Sequence, residues 1–127
     1  MSWATYSSTI YGALTGYRRI PENKKVDEAP ISHNHKAYFI EWTAMNMQEL
    51  HTNNNISYSH QVHIEVKYEN LTTDEYDTNV DLWITLLTTI AGKSGFMNFA
   101  TEPTLSFIDN KHIKGVTEFY FGADGLC

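Results

Sequence analysis

The chain has 127 residues, 42% hydrophobic and 13% aromatic, which suits one domain, residues 1–127, because roughly two-thirds of the unfolded surface can be buried at this length. Its formal charge of -6, from 9 Lys and Arg against 15 Asp and Glu, excludes a protein built to grip nucleic acid by neutralising phosphates. Cys127 is the only cysteine, which excludes a disulfide-stapled module or a Cys-based zinc site and leads us to expect a reducing compartment.

Between Ser2 and Gly16 the apolar residues Trp3, Tyr6, Ile10, Ala13 and Leu14 recur three and four apart. This predicts a short amphipathic helix, capped by Ser2 and stopped by Gly16. Its Ser and Thr residues and Gly12 make it weak in isolation, so it must pack its stripe on something else. The start lacks the basic and apolar regions of a secretory signal, and no apolar run is long enough to cross a bilayer, so a soluble intracellular product is expected. The acceptor-like triplets Asn55-Ile56-Ser57 and Asn70-Leu71-Thr72 would matter only on a secretory route. Tyr17 to Asn34 carries Pro21 and Pro30, with Arg18-Arg19 and Lys24-Lys25 set among Glu22, Asp27 and Glu28. That composition predicts an extended, solvated connection, long enough to suit contact with a partner.

Lys36 to Ala44 alternates Tyr38, Ile40, Trp42 and Ala44 with Phe39, Glu41 and Thr43, the period of a half-buried strand. In Ile56 to Tyr68 the residues Ile56, Tyr58, Val62, Ile64, Val66 and Tyr68 share one face, while Ser57, Ser59, Gln61, His63, Glu65 and Lys67 share the other. The first face is expected to be core and the second wet. Met45 to Asn55, with its run of asparagines, reads as a broad loop exposing Met45, Met47 and Leu50. Thr72 and Glu75 form a capping box that opens a second helix with the stripe Tyr76, Val80, Trp83, Leu87 and Ile90, widened by Ile84 and Leu86 and ended at Gly92. Thr101 to Asp109 and His112 to Phe121 read as a closing hairpin turned by Asp109-Asn110-Lys111. The expected fold is α+β, a mainly antiparallel four-stranded sheet with helices packed on one face.

No motif assembles a catalytic centre. Ala91-Gly92-Lys93-Ser94-Gly95 imitates the end of a phosphate loop, but Leu87 stands where the first glycine is needed, and the segment ends a helix. His33, His35, His60 and His63 do not converge on a metal, since His60 and His63 sit at odd spacing on one strand and point to opposite faces. There is no serine elbow, Cys127 lacks a fixed base, and Asp74, Asp77 and Asp81 suit a solvated helix surface. Tyr38, Trp42, Tyr58, Trp83, Phe119 and Phe121 fall at core positions, whereas Phe39, Phe96 and Tyr120 are expected to face away from the main core, as interface aromatics do.

The strand His63-Ile64-Glu65-Val66, the acidic-capped helix with Asp77, Asp81 and Trp83, and the two closing strands resemble tail terminator proteins of long-tailed phages. A short helix running into Tyr17-Arg18-Arg19-Ile20-Pro21 is similar to the start of many prophage-encoded members. The resemblance spans nearly the whole chain in element order, through diffuse structural motifs. It implies a virion part of the tail or neck, assembled in the host cytoplasm, with no catalytic residues, cofactor, metal or membrane. About six copies would close into a ring on the head-proximal end of the tail tube, ending tube polymerisation and offering a docking face to the head connector. The family fold turns the sheet toward the ring interior, where an acidic chain lets DNA pass without specific binding. Met45, Met47 and Leu50 are then candidates to reach the tube, and Arg18 and Arg19 to bridge to a neighbouring subunit's acidic surface. The alternatives are another head-tail joining or tail-tube protein or, from a different class, a small intracellular ligand-binding domain or enzyme.

Overall fold

A computed structural model describes residues 3–21, 25–26, 35–49, 56–70, 72 and 75–123, with 47–49, 56–58 and 123 described by backbone alone. The elements are α1 (Trp3–Ala13), β1 (Arg18–Arg19), β2 (Ala37–Glu49), β3 (Ile56–Glu69), α2 (Glu75–Ala91), β4 (Phe96–Phe99), β5 (Thr104–Phe107) and β6 (His112–Ala123). They form an α+β fold whose six-stranded sheet runs β1-β2-β3-β6-β4, with β5 also on β6. The sheet is mixed, because β1 pairs in parallel with β2 while every other pairing is antiparallel. The expected four strands become six because β1 and β4, at two and four residues, are too short to show a period.

One face carries the main core. Tyr6, Ile10 and Leu14 of the α1 region and Trp83, Leu86 and Ile90 of α2 pack on Tyr38, Ile40, Val62, Ile64, Val66, Tyr68, Phe119 and Phe121. Two glycines permit this packing. A Cβ on Gly115 of β6 would lie 2.8 Å from the Trp83 ring, and one on Gly95 would lie 2.6 Å from the Tyr6 ring. Gly95 also has a φ of 99°, a conformation that a side chain strains. At the start of α2 the buried Asn79 donates through Nδ2 to the Glu69 carbonyl at 3.0 Å and to Asn70 Oδ1 at 2.6 Å, tying the helix to the end of β3. Glu75 N–H donates to the Thr72 carbonyl at 3.2 Å, whereas Thr73 and Asp74 of the expected capping box, like Ser2 of the first helix cap, lie outside the described residues.

Several expectations need correction. Tyr76 and Ile84 are 44% and 54% exposed, so the buried stripe of α2 is narrower than its sequence indicated. The second sheet face is not simply wet: Ile20, Val26, Ala37 and Phe39 form a separate apolar cluster on it, and Glu65 and Lys67 are buried there. The connection from Tyr17 onward is therefore not merely solvated; where described, it contributes β1 and two core residues. Phe39 is buried in that cluster, and Phe96 packs against the main core through Phe119 and Phe121.

Met45 is not in a loop, because β2 runs to Glu49 and pairs with β3 as far as Ile56. Only 50–55 separates the two strands; Leu50 is among these residues and lies outside those described. The pairing slips at Thr43, with Trp42 opposite Val62 and Ala44 opposite Gln61. This bulge breaks the alternation expected for Ala44, putting Ala44 beside Gln61 and Met45 beside His60.

Candidate functional site

The sheet ends in two unlike margins. At one, Arg18 and Arg19 form an exposed strand. Arg19 donates through Nη1 to Tyr11 Oη at 3.2 Å, and its guanidinium sits 5.6 Å from the centre of that ring. Lys36 Nζ lies 4.9 Å from the Tyr17 ring centre, and Tyr17 and Tyr68 share a hydroxyl hydrogen bond of 2.8 Å. Burial pushes the pKa of both phenols up, so this bond joins two neutral groups.

Beyond Tyr38, no strand among the described residues pairs with the outer edge of β2. Trp42 and Met45, 47% and 45% exposed, stand on that uncovered stretch. The Trp42 indole N–H donates to His60 Nδ1 at 3.0 Å, and the His60 ring lies 5.4 Å from Trp3 and 5.8 Å from Tyr6. Burial pushes the His60 pKa down, which keeps Nδ1 a lone-pair acceptor and fixes the orientation of Trp42.

At the opposite margin β4 and β5 both lean on β6, and among the described residues neither has a strand beyond it. Met97 and Phe107 are 42% and 65% exposed. A shallow cavity of about 90 Å³ lies between Tyr76 and Val80 of α2 and Leu105, Phe107 and Ile113 of the sheet. The exposed carboxylates Asp77 and Asp81 follow Tyr76 and Val80 on the helix, a rotation of about 100° toward solvent. Exposed apolar groups rimmed by charge are what protein interfaces display.

The second face holds a charged cluster. His63 Nε2 is 2.7 Å from Glu65 Oε2, and Nδ1 is 3.1 Å from Glu118 Oε1, with the Phe39 ring edge-on to the imidazole. Ionised carboxylates only accept hydrogen bonds, so both contacts are satisfied only when both ring nitrogens carry protons. The Glu65 hydrogen bond chiefly raises the His63 pKa against its desolvation, and the His63 hydrogen bond chiefly lowers that of Glu65. His63 is thus an imidazolium clamp between β3 and β6. As the odd spacing required, His60 and His63 serve opposite faces.

A larger open cavity of about 340 Å³ is lined by His35, Glu69, Glu75, Thr78, Asn79 and Leu82. His35 Nδ1 accepts the Glu69 N–H at 3.2 Å, and burial, followed by the Lys36 charge, lowers its pKa. Among the described residues no three His, Cys, Asp or Glu side chains are grouped to hold a metal ion.

The structure separates the residues singled out from sequence. Arg18 and Arg19 lie beside Ala37 and Tyr38, whereas Met45 lies farther along β2, beside His60. Met47 is in β2, but its side chain, with Leu50, is outside the described residues. Trp42, Tyr76 and Met97 escaped the sequence reading because Trp42 and Tyr76 occupy core-like positions and Met97 lies on a strand too short to detect. No known protein family and no curated protein matches this chain. No helix among the described residues is long and apolar enough to cross a membrane.

Proposed function

We propose that this protein is a structural virion component, a tail terminator that forms a ring on the head-proximal end of a phage tail tube and ends its growth. The observation that supports the reading is the pair of unlike margins at opposite ends of one sheet, neither with a further strand among the described residues. A closed ring needs a heterologous contact, in which one surface of each copy meets a different surface of the next. Here one margin carries exposed Arg18, Arg19, Trp42 and Met45, and the other carries exposed Met97 and Phe107.

The ring occupies the site that the next tube ring would take, and its other face receives the head connector. With the sheet turned inward, the acidic chain allows DNA to pass without being held. The reading assigns no catalytic residue and no cofactor. The cavity beside His35 and Glu69 favours a second reading, a small ligand-binding domain. That reading requires a monomer that leaves tube ends bare. Electron microscopy of the protein mixed with tail tubes separates the two.

A further inference from the structure

The cavity at the start of α2 is lined, among the described residues, by His35, Glu69, Glu75, Thr78, Asn79 and Leu82. Both main-chain polar groups of Glu69 are tied to this lining, its N–H donating to His35 Nδ1 at 3.2 Å and its carbonyl accepting from Asn79 Nδ2 at 3.0 Å. Asn79 is 3% exposed. A carbonyl requires a donor, so the contact with Glu69 fixes which end of the Asn79 amide is nitrogen. The two hydrogens on that nitrogen go to the Glu69 carbonyl and to Asn70 Oδ1. What the buried Asn79 can then offer the cavity is its acceptor, Oδ1.

The remaining wall is also rich in acceptors. Ionised Glu69 and Glu75 accept hydrogen bonds and bring two negative charges. His35 accepts at Nδ1, and burial lowers its pKa, so it stands as a neutral imidazole and adds no positive charge. The first turn of α2 supplies about half a positive charge, which the two carboxylates outweigh. Nearby, Lys36 Nζ sits over the Tyr17 ring, and His112 Nε2 lies 3.3 Å from Glu69 Oε2.

Such a wall suits a ligand that carries donors and positive charge. Among the described residues no three His, Cys, Asp or Glu side chains are grouped to hold a metal ion, so the donors belong spread along a molecule. The volume of about 340 Å³ is roughly that of ten waters in the liquid, at about 30 Å³ each. Leu82 gives a short aliphatic chain an apolar surface to lie on, while the acceptors surround its charged end.

We infer that this cavity binds a small organic cation, a short-chain aliphatic amine or guanidine, with its charged group on Glu69, Glu75 and Asn79 Oδ1 and its chain against Leu82. The inference goes beyond the ring reading and rests on the cavity alone. Its failure leaves the ring standing, and its success does not refute it, because tube images judge the ring separately.

The test is calorimetric titration of the full-length chain with agmatine, which carries a guanidinium and an ammonium on one short chain. Saturable binding at one site is expected, with amide NMR shifts centred on Glu69, Glu75, Thr78 and Asn79. Pentanol and glutarate, a neutral and an anionic chain, should bind at least about tenfold more weakly. Glu75→Gln should weaken agmatine binding about tenfold, as loss of one charge-assisted contact does. Thr78→Lys, at an exposed position of the lining, places a tethered ammonium in the site and should weaken binding about a hundredfold. Circular dichroism verifies that both variants fold. A parent chain that does not bind agmatine saturably, shifts centred elsewhere, pentanol or glutarate binding as well as agmatine, or full-strength binding by the variants overturns the inference. Tighter binding of calcium, or of the peptide Gly-Arg-Gly, than of agmatine overturns it equally, since the site would then serve a metal ion or a partner's side chain.

Discussion

Replacing His63 with glutamine removes a group that touches Glu65 and Glu118 at once. Their side chains are 8% and 30% exposed, and that of His63 is 17% exposed. Removing one partner of a fully buried ion pair costs about 3–5 kcal/mol. Glu118 retains access to water, so we expect His63→Gln to lower stability by about 2–3 kcal/mol. In a chain of this size that is a fall in Tm of about 10 °C.

The pH dependence identifies the cause. His63 has its pKa raised from an ordinary 6.5 in the folded chain, so its contribution is complete below 6.5 and is lost as pH rises through the folded value. Glu65 has its pKa lowered from an ordinary 4.5, so its contribution is complete above 4.5 and is lost as pH falls through the folded value. The stability gap between parent and variant is therefore widest between these two ordinary values and narrows on either side. Urea unfolding at a series of pH values measures it. A gap that is constant from mildly acidic to alkaline pH, or no gap at all, would refute the imidazolium clamp.

Two further outcomes follow from the same structure. Gly115→Ala sets a methyl group 2.8 Å from the Trp83 ring and should cost about 1–3 kcal/mol through displacement of that ring, read as a lower Tm with unchanged far-ultraviolet dichroism. Assembled rings should not retain duplex DNA on a size-exclusion column even at low salt, where phosphate contacts are strongest; co-elution there would contradict a lumen through which DNA slides.

Long, regular segments were legible in the sequence. The spacing of Tyr6, Ile10 and Leu14 and the alternation of Val62, Ile64 and Val66 each repeat often enough to identify an element and its buried side. Shorter or covered features were not. β1 is two residues long, and Ile20 and Val26 are isolated apolar residues in a polar connection whose role emerges only when they meet Ala37 and Phe39. Residues 45–49 read as loop because the turn-prone run Asn53-Asn54-Asn55 follows them closely, yet pairing with β3 holds them extended. The Thr43 bulge leaves no compositional mark, though it decides which way Met45 points. At the margins, Trp42, Tyr76 and Ile84 keep the period of a core while standing in solvent. Periodicity identifies which apolar residues share a face, but not which element, or which copy of the chain, covers that face.

The sharpest measurement is the length of tail tubes polymerised with and without the purified protein, imaged in negative stain. Tubes should stop growing, each bearing a ring at one end, with neither effect in the Arg18→Glu/Arg19→Glu variant. Tubes of unchanged length with bare ends, beside a protein that remains monomeric, would contradict the ring reading.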